Sequence, residues 1–435
     1  MNSSLSKMLC AGLLAGFACM MNQAHAEAIK VELVKTGDGW QLMREGKPYL
    51  IKGAGITSEK SMAALKAAGG NSVRLWGTEF AQAALDEAQK LGLTVAVGIW
   101  LRHDKDKEGF DYSKPEMVKE QLEKVRKQIL QFKDHPAVLL WGIGNEMEGY
   151  KEGNDPNVWK AVNEAAKLAK ELDPNHPTMT VFAEVGGKRV ECVHQYCPDV
   201  DIVGLNTYAG ASSIGTRYVG LKGTKPYILT EFGPFGAWEV GKTDWGAAIE
   251  PTSTAKAETY LKSYKGSVEG KPLCLGSYVF LWGNKQETTA TWYGMFLKSG
   301  EKVQAVDVMT ELWTGKPPEN RCPVINKLKI NGVGPAGVIN VDLEVSDPDK
   351  KPLQVQWLVQ PEQDKKGTGG EEEPVLPELT EPILVGDATH AEVRLPKEPG
   401  AYRIFVYVRN GTGAAVGNLP VRVHPPSEGV PEGPK

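Results

Sequence analysis

This chain of 435 residues has little histidine and no excess of positive charge. Its 7 histidines and 50 lysines and arginines stand beside 54 aspartates and glutamates, which gives a formal net charge of −4 at pH 7 and a pI near 6.1. Proteins that bind nucleic acid normally present a basic face, so this balance argues against a nucleic-acid partner. Beyond residue 26 no apolar run approaches the roughly 18 residues of a membrane-spanning helix, and we expect no integral membrane segment in the mature chain.

Several signatures of metal chemistry, cofactor binding and serine-nucleophile catalysis are also missing. The sequence has no HExxH motif, no Walker loop and no Ser-His-Asp constellation. Gly53-Ala54-Gly55 follows an apolar run but lacks the third glycine of a dinucleotide-binding fingerprint. No histidine or second cysteine pair lies at the spacing of a zinc site. We therefore expect neither a metal nor an organic cofactor.

The first 26 residues have the pattern of a secretory signal peptide. Lys7 supplies a basic flank, residues 8–21 form a short apolar stretch, and the Ala-His-Ala at 24–26 has the small-x-small form of a cleavage site. We expect the mature protein to begin near Glu27 and to be secreted or periplasmic.

Four cysteines remain in the mature chain, at positions 192, 197, 274 and 322. An even number of cysteines in an oxidising compartment suggests disulfides. Cys192 and Cys197 are separated by the shortest loop, so we expect this pair to form a disulfide that fastens a surface segment.

Short β-branched runs alternate with amphipathic helical patterns from residue 50 to about 318. Val118, Leu122, Val125 and Ile129, for example, recur at spacings of three and four, as on one face of a helix. Eight strand–helix units predict an α/β fold, a (β/α)8 TIM barrel over residues 27–318, rather than a doubly wound sheet. The candidate strands are 49–56, 72–77, 94–101, 138–146, 178–184, 201–208, 227–233 and 275–283.

The pattern changes after residues 314–323. Helical periodicity ends, and strand-like pieces such as INVDLEV (339–345) and AYRIFVYVR (401–409) are separated by turn sequences. This pattern predicts an all-β immunoglobulin-like sandwich over residues 322–425. We expect the acidic stretch 361–374 to be a loop and residues 426–435 to be a disordered tail.

Two glutamates end candidate strands on the face where barrel active sites lie. Glu146 ends the fourth strand and Glu231 the seventh, and these strands lie across the barrel mouth from each other, so the carboxylates converge. Two carboxyl groups, one protonated and one ionised, are what hydrolysis of a glycosidic bond needs. A separation of about 5–5.5 Å gives a retaining reaction, and about 6.5–9.5 Å an inverting one.

The sequences around these glutamates resemble a known clan. HPAVLLWGIGNE (135–146) and YILTEFG (227–233), with RLWG, NTY and FLWG at other strand ends, are similar to retaining glycoside hydrolases that carry glutamates after strands four and seven. The likeness is to the barrel domains of families two and five, and it covers roughly residues 40–315. It implies that Glu146 is the general acid/base and Glu231 the nucleophile. It also implies substrate-binding roles for Arg74, Asn145, Tyr208 and Trp282. Trp76 and Asn206 complete the expected substrate-binding set because they too lie at strand ends on the active-site face.

The resemblance assigns a role to several members of this set. Asn145 is expected to hydrogen-bond the sugar 2-hydroxyl, and Arg74 to hold Glu231 ionised. Tyr208 is expected to donate a hydrogen bond to the same carboxylate, and Trp282 to stack under the sugar. The chain departs from family two because it has a sandwich after the barrel and none before it, which argues against an ordinary β-galactosidase or β-glucuronidase.

The sequence thus predicts a secreted retaining glycosidase (O-glycosyl hydrolase) that cleaves a β-linked polysaccharide. Loop tryptophans at 238, 245 and 292 favour a polymer cleft, and a β-glucan is the first substrate we expect. Three alternatives stay open: a β-glucan transglycosylase with the same glutamates, a catalytically silent carbohydrate-binding protein, and an adhesion or scaffold protein acting through its sandwich. The sequence leaves the oligomeric state undetermined.

Overall fold

The structure is a computed structural model that describes residues 27–149, 152–363 and 373–424. The expected signal peptide at 1–26 and the expected disordered tail at 426–435 lie outside these residues. Most of the acidic stretch at 361–374 lies outside them too.

Eight parallel strands close into a barrel, each followed by a helix. The predicted barrel is confirmed. Its strands are β4 (Ile51–Gly55), β5 (Ser72–Arg74), β6 (Thr94–Ile99), β7 (Val138–Ile143), β8 (Thr178–Ala183), β9 (Ile202–Asn206), β10 (Tyr227–Glu231) and β11 (Cys274–Val279). Its helices are α1 (Met62–Ala67), α2 (Ala81–Leu91), α3 (Pro115–Phe132), α4 (Pro156–Leu172), α5 (Arg189–Tyr196), α6 (Ile214–Gly220), α7 (Ser253–Ser267) and α8 (Gln304–Thr314).

The local sequence accounts for these elements. Strands β6, β7, β9, β10 and β11 are buried along their whole length, as apolar parallel strands covered on both faces must be. Helix α3 starts with proline at its first turn and buries Val118, Val125 and Ile129. The Asp155 side chain caps α4 by accepting a hydrogen bond from the Asn157 amide.

A three-stranded antiparallel sheet covers one end of the barrel. It consists of β1 (Val31–Thr36), β2 (Gly39–Arg44) and β3 (Lys47–Pro48). Val31 and Leu42 of this sheet form one core cluster with Ile51 and Ile202, at the amino ends of β4 and β9. The sheet therefore closes the barrel floor, and the carboxyl ends of the strands are left to form the site.

Two four-stranded sheets follow the barrel. The strands are β12 (Lys302–Val303), β13 (Val324–Val333), β14 (Ile339–Ser346), β15 (Gln354–Pro361), β16 (Ile383–Gly386), β17 (His390–Val393), β18 (Gly400–Arg409) and β19 (Gly413–Val423). One sheet has the order β13-β14-β17-β16 and the other β12-β19-β18-β15. Without β12 this is the ABED and CFG arrangement of an immunoglobulin-like sandwich, as predicted. The short β12 precedes α8 and pairs with β19, so one sheet of the sandwich begins in the barrel.

The predicted Cys192–Cys197 disulfide is wrong. Both cysteines, like Cys274 and Cys322, are free thiols in the described part of the chain, and all four are buried. Cys192 lies in α5 and Cys197 directly follows it. At about 100° per residue, an offset of five positions directs the two thiols about 140° apart around the helix axis. The Cys197 thiol donates to the Trp159 carbonyl instead, and burial raises its pKa to about 12.

The contact between β11 and β4 leaves no room for a side chain at Gly276. Gly276 has φ +122°, and a Cβ there would overlap the Ile51 carbonyl oxygen. We expect Gly276→Ala to lower the free energy of unfolding by about 3 kcal/mol or more, since the barrel strands would have to separate. Urea denaturation followed by circular dichroism measures this.

Gly220→Ala is the matched control, because Gly220 ends α6 and its Cβ would meet nothing within 4 Å. This variant should be unchanged or more stable by about 0.4–1 kcal/mol. Equal unfolding midpoints for the two variants would contradict the close packing of β11 on β4.

Candidate active site

Glu146 lies in the tight turn that follows β7 at the barrel mouth. Strand β7 ends at Ile143, after which the Gly144 amide donates to the Ile99 carbonyl and the Glu146 amide to the Val181 carbonyl, both at 2.9 Å. Glu146 has φ +50°, a left-handed conformation that costs a non-glycine residue about 1–3 kcal/mol and is typical of functional sites. These backbone bonds to β6 and β8 hold the strained residue in place.

Glu231 is the last residue of β10, and only 6% of it is exposed. One carboxylate oxygen accepts from the Arg74 guanidinium at 2.8 Å and the Trp76 indole at 2.8 Å. The other accepts from the Tyr208 hydroxyl at 2.9 Å. A buried carboxylate with an arginine and further donors around it is stabilised in its ionised form.

The Asn206 amide joins the two glutamates. Its nitrogen donates to Glu146 Oε1 at 2.7 Å and to Glu231 Oε1 at 2.9 Å, so these oxygens are at most about 5.6 Å apart. This is the close spacing of a retaining pair rather than the wide spacing that holds a water between two carboxyl groups. Thr230 orients Asn206 by donating to its amide oxygen at 2.8 Å.

The two carboxyl groups lie in different electrostatic surroundings. Burial, and next the charge of Glu231, raise the pKa of Glu146 to about 7, although the Asn206 hydrogen bond opposes this. Glu231, by contrast, forms a direct ion pair with Arg74. Near neutral pH the site can therefore hold one protonated and one ionised carboxyl group, as acid-assisted displacement requires.

Asn145 is tied to the same cluster. Its side-chain oxygen accepts from Arg74 at 2.6 Å, and its backbone carbonyl lies 2.9 Å from His103 Nε2. With the oxygen engaged by Arg74, the amide nitrogen is the group available to a ligand. The structure thus brings five of the six expected substrate-binding residues to the glutamates: Arg74, Trp76, Asn145, Asn206 and Tyr208.

Trp282 is the exception, and its expected place under the sugar is wrong. Its side chain is fully buried, its indole donates to the Ser61 carbonyl, and its ring packs against Trp313 of α8 at 5.9 Å. Strand β11 ends at Val279, and the chain then turns so that Trp282 faces the helices instead of the barrel mouth.

Phe280 occupies the wall of the site instead. Its ring centroid lies 5.8 Å from that of Trp76 and 6.0 Å from that of Tyr208, and both of those residues donate to Glu231. Phe280 comes directly after β11, so its strand-end position was a signal that could have identified it. Tyr293, from the following loop, packs on both Tyr208 and Phe280.

Glu148 is a second residue that the sequence reasoning missed. It is buried. Its Oε1 accepts a hydrogen bond from the Ala183 amide at 2.5 Å and lies 3.2 Å from Arg189 Nε. Burial raises its pKa to about 8. Glu148 thus joins the loop that carries Glu146 to the end of β8. Its position two residues after Glu146 gives no sequence pattern that separates it from a surface glutamate.

Two tryptophans are exposed on opposite sides of the mouth. Trp100 follows β6 and is 46% exposed, and Trp238 follows β10 and is 60% exposed. Strands β6 and β10 lie four positions apart in the closed order of eight. Of the other loop tryptophans, Trp245 is half-buried and Trp292 is buried with its indole donating to the Phe235 carbonyl, so only Trp238 of the three offers a free face.

Metal-binding clusters and membrane-spanning helices are both absent from the described residues. No group of three histidine, cysteine, aspartate or glutamate side chains in this part of the chain could hold a metal ion. Within the same residues no helix is both long and apolar enough to cross a membrane.

Comparison with protein families agrees with this geometry. The family model described as "Glycosyl hydrolases family 2, TIM barrel domain" matches residues 79–256, a range that includes both glutamates. No curated protein matches the chain significantly.

Solved structures share the fold. The β-D-glucuronidase of Dictyoglomus thermophilum has a TM-score of 0.51 and 19% identity, over 66% of this chain and 54% of that one. A calcium-binding mutant of Bacteroides uniformis β-glucuronidase 2 has a TM-score of 0.51 and 16% identity, over 90% and 47%. A family 2 β-galacturonidase from Eisenbergiella tayi has a TM-score of 0.50 and 16% identity, over 66% and 54%. The chain spans about half the length of these proteins.

The fold and the family match together define the class. The barrel, with Glu146 and Glu231 after its fourth and seventh strands, is similar to that of the retaining glycoside hydrolases, a class that acts on O-glycosyl bonds. Within that class, residues 79–256 carry the family 2 type of barrel. The resemblance predicted from the sequence is confirmed.

The proton affinity of Glu146 should depend on the charge of Glu231. We expect the pKa of Glu146 to lie near 7 in the wild type and to be lower in Glu231→Gln, because burial still raises it but a neutral neighbour no longer opposes ionisation. Carbon-13 NMR of the labelled glutamate carboxyl groups measures both values, with Glu146→Gln identifying the resonance.

Asp106→Asn is the control, since Asp106 pairs with Arg102 outside the carboxylate pair and should leave the titration unchanged. An unshifted pKa in Glu231→Gln would contradict electrostatic coupling between the glutamates.

Proposed function

We propose that this protein is an exported retaining β-glycosidase that hydrolyses O-glycosidic bonds of a β-linked polysaccharide. The observation that carries the proposal is the Asn206 amide, which holds Glu146 and Glu231 at retaining distance. Export rests on the signal-like pattern of residues 1–26. The β-glycosidase class is supported by the family match.

In the first step Glu231 attacks the anomeric carbon. A bond forms between this carbon and a carboxylate oxygen of Glu231, while the glycosidic carbon–oxygen bond breaks and Glu146 gives its proton to the departing oxygen. Tyr208 and Arg74 hold the attacking carboxylate in place, and the Asn145 amide nitrogen donates to the sugar 2-hydroxyl.

In the second step Glu146, now ionised, removes a proton from the incoming acceptor. The acceptor oxygen bonds to the anomeric carbon and Glu231 leaves, so the starting protonation states return and the configuration is retained. Water as acceptor gives hydrolysis. A sugar hydroxyl gives transglycosylation by the same residues, which is the alternative reaction.

The two exposed tryptophans support a polymeric substrate. Trp100 and Trp238 are exposed after β6 and β10, on opposite sides of the barrel, and the apolar faces of consecutive sugar rings stack on exposed indoles. A chain that crosses the mouth would contact both, whereas a closed pocket for one terminal sugar needs neither. A β-glucan, with stacking faces repeated along its length, is the first substrate we propose.

An acidic sugar is a second candidate. Lys285 Nζ lies 5.8 Å from the ring centroid of Phe280, which places a cation at the wall of the site. Lys285 pairs with Glu287 at 2.6 Å, so an acidic sugar would compete with that carboxylate. The named β-glucuronidases and β-galacturonidase that share the fold make β-linked uronides the natural comparison.

Replacing each glutamate with glutamine should change the kinetics in a different way. We expect Glu231→Gln to lower kcat on every substrate by about 10⁴-fold or more, since no nucleophile remains. Glu146→Gln should lose about 10²–10⁴-fold in kcat/KM on polysaccharides but little in kcat/KM on aryl glycosides, whose leaving group needs no proton. Its kcat should fall on both kinds of substrate, because no base remains to activate the acceptor in the second step. Incubation with β-glucans, other β-linked polysaccharides and aryl β-glucosides, glucuronides and galacturonides measures this by released reducing ends or phenol.

Asp106→Asn again serves as the control and should keep wild-type rates. Redistribution of chain lengths without new reducing ends would assign the transglycosylase instead. Glycan binding without any product, in wild type and Glu231→Gln alike, would overturn the proposed enzyme and leave a binding protein.

The two exposed tryptophans should matter most for long substrates. We expect Trp100→Ala and Trp238→Ala each to raise KM for the polysaccharide by about 5–100-fold, because each loses a stacking contact worth about 1–3 kcal/mol. The rate on an aryl glycoside, which does not reach the rim at Trp100, should change less than about twofold in Trp100→Ala. It should change more in Trp238→Ala, because the Trp238 ring packs on Tyr208 at 5.7 Å.

Leu130→Ala is the control, since Leu130 is an exposed apolar residue of α3. An equal loss on the polymer and the aryl glycoside would contradict a cleft that extends to both rims.

A further inference from the structure

A buried cluster of four charged side chains joins the barrel to the sandwich. Lys256 and Glu250 form one ion pair, with 7% and 2% of their side chains exposed. Arg403 and Glu362 form the other, with 2% and 8% exposed. The cluster is neutral overall, as a group of buried charges must be to be tolerated.

The sandwich contacts the loop after β10 through this cluster. Arg403 of β18 donates to the Ala248 carbonyl at 2.7 Å, and Asn418 of β19 donates to Glu250 Oε2 at 2.6 Å. Arg403 also donates to the Asn418 side-chain oxygen at 2.7 Å. Two sandwich residues thus hold the segment that follows Glu231 in the chain.

Glu250 in turn fixes the loop after β11. It accepts hydrogen bonds from the Thr289 hydroxyl at 2.6 Å and the Thr291 hydroxyl at 2.8 Å. Lys256 donates to the Thr291 carbonyl at 2.7 Å. Burial favours the neutral acid, but the charges of Lys256 and Arg403 outweigh it and lower the pKa of Glu250, which keeps all these acceptors available.

These two loops form the aromatic wall beside Glu231. Tyr293, two residues after Thr291, accepts a hydrogen bond from the Ala237 amide at 3.2 Å. Its ring lies 5.7 Å from that of Tyr208, whose hydroxyl donates to Glu231. A continuous series of packed and hydrogen-bonded groups therefore connects Asn418 to the proposed nucleophile.

A second contact between the sandwich and the loop after β11 supports the same arrangement. The Thr288 amide donates to Glu373 Oε2 at 2.8 Å, and the Glu373 amide donates to the Gln286 carbonyl at 3.0 Å. Both contacts fall within three residues of Thr289. The sandwich thus holds this loop at two places.

We propose that Arg403 and Asn418 of the sandwich are positioning residues, which hold Glu250 and through it the Tyr293–Tyr208 wall against Glu231. The sandwich then contributes to the reaction itself rather than serving as a separate glycan-binding module. This inference rests on the proposed function for its kinetic consequence. Its structural consequence is independent of any substrate.

The first test replaces the Asn418 amide, which donates to Glu250, with a carboxylate that can only accept. In Asn418→Asp two carboxylates face each other, so we expect the wall to loosen. Amide hydrogen exchange in residues 236–250 and 286–296 should rise at least about tenfold, and kcat should fall by about ten- to a hundredfold with little change in KM, because misplacing a reacting group by about 1 Å costs this much.

The double variant Asn418→Asp with Glu250→Gln provides the rescue. The new glutamine amide at position 250 can donate to the new carboxylate at position 418, which still accepts from Arg403. Exchange and kcat should therefore return to within about threefold of the wild type. Arg409→Met is the control. Arg409 also crosses to the barrel, pairing with Glu301 at 2.9 Å, but it contacts neither loop segment and should lower Tm without changing kcat.

The outcomes separate the two proposals. If the wild type cleaves none of the substrates, the proposed function fails, while the exchange data still test the positioning role. The positioning role is overturned if Asn418→Asp lowers Tm with unchanged kcat and unchanged exchange in the two segments. It is equally overturned if the double variant restores neither.

Discussion

The bridge of Asn206 between two carboxyl groups is the contact on which the catalytic face depends. One amide nitrogen reaches both Glu146 and Glu231, and at that distance both groups cannot carry a full charge without strong repulsion. The Arg74 guanidinium lies against Glu231 and forms an ion pair with it, whereas burial raises the pKa of Glu146. The chemical difference between two identical side chains therefore comes from the ion pair of Glu231 with Arg74 and from the burial of Glu146.

The surrounding structure excludes water from the cluster below the two carboxyl groups and holds those groups in position. The barrel strands are buried and exclude water from the cluster below the glutamates, which strengthens each hydrogen bond within it. Glu146 stays in a left-handed conformation because bonds to β6 and β8 hold its turn. On the other side, Phe280, Tyr208 and Tyr293 form the wall of Glu231. Rigid strands thus place the reacting groups, and loops place the aromatic rings around them.

Strand periodicity made most of the site predictable from sequence. Arg74, Asn206 and Glu231 are the last residues of their strands, so an eight-unit barrel necessarily brings them to one mouth. Trp282 could not be placed in this way, since the chain leaves strand geometry after Val279 and the face that a residue takes then depends on tertiary packing.

The other misses have the same cause. A pair such as Cys192 and Cys197 looks like a short loop closure in the sequence, but the intervening residues form a helix that separates the two thiols. The exposure of Trp238 and the burial of Trp292 depend on loop packing that no short pattern encodes. The contact of Asn418 with Glu250 joins positions 168 residues apart in the chain, and neither residue stands in a recognisable motif.

The pairing of β12 with β19 has a consequence for the order in which the protein matures. All eight barrel strands leave the ribosome before residues 413–423 are made, yet β19 completes the sheet that begins at β12 and carries Asn418. Glu231, the proposed nucleophile, is therefore made before the side chains that brace the adjoining loops. Until β18 and β19 dock, the Glu250–Lys256 pair lacks its partners from the sandwich, and the loops beside Glu231 are braced only after the sandwich has formed.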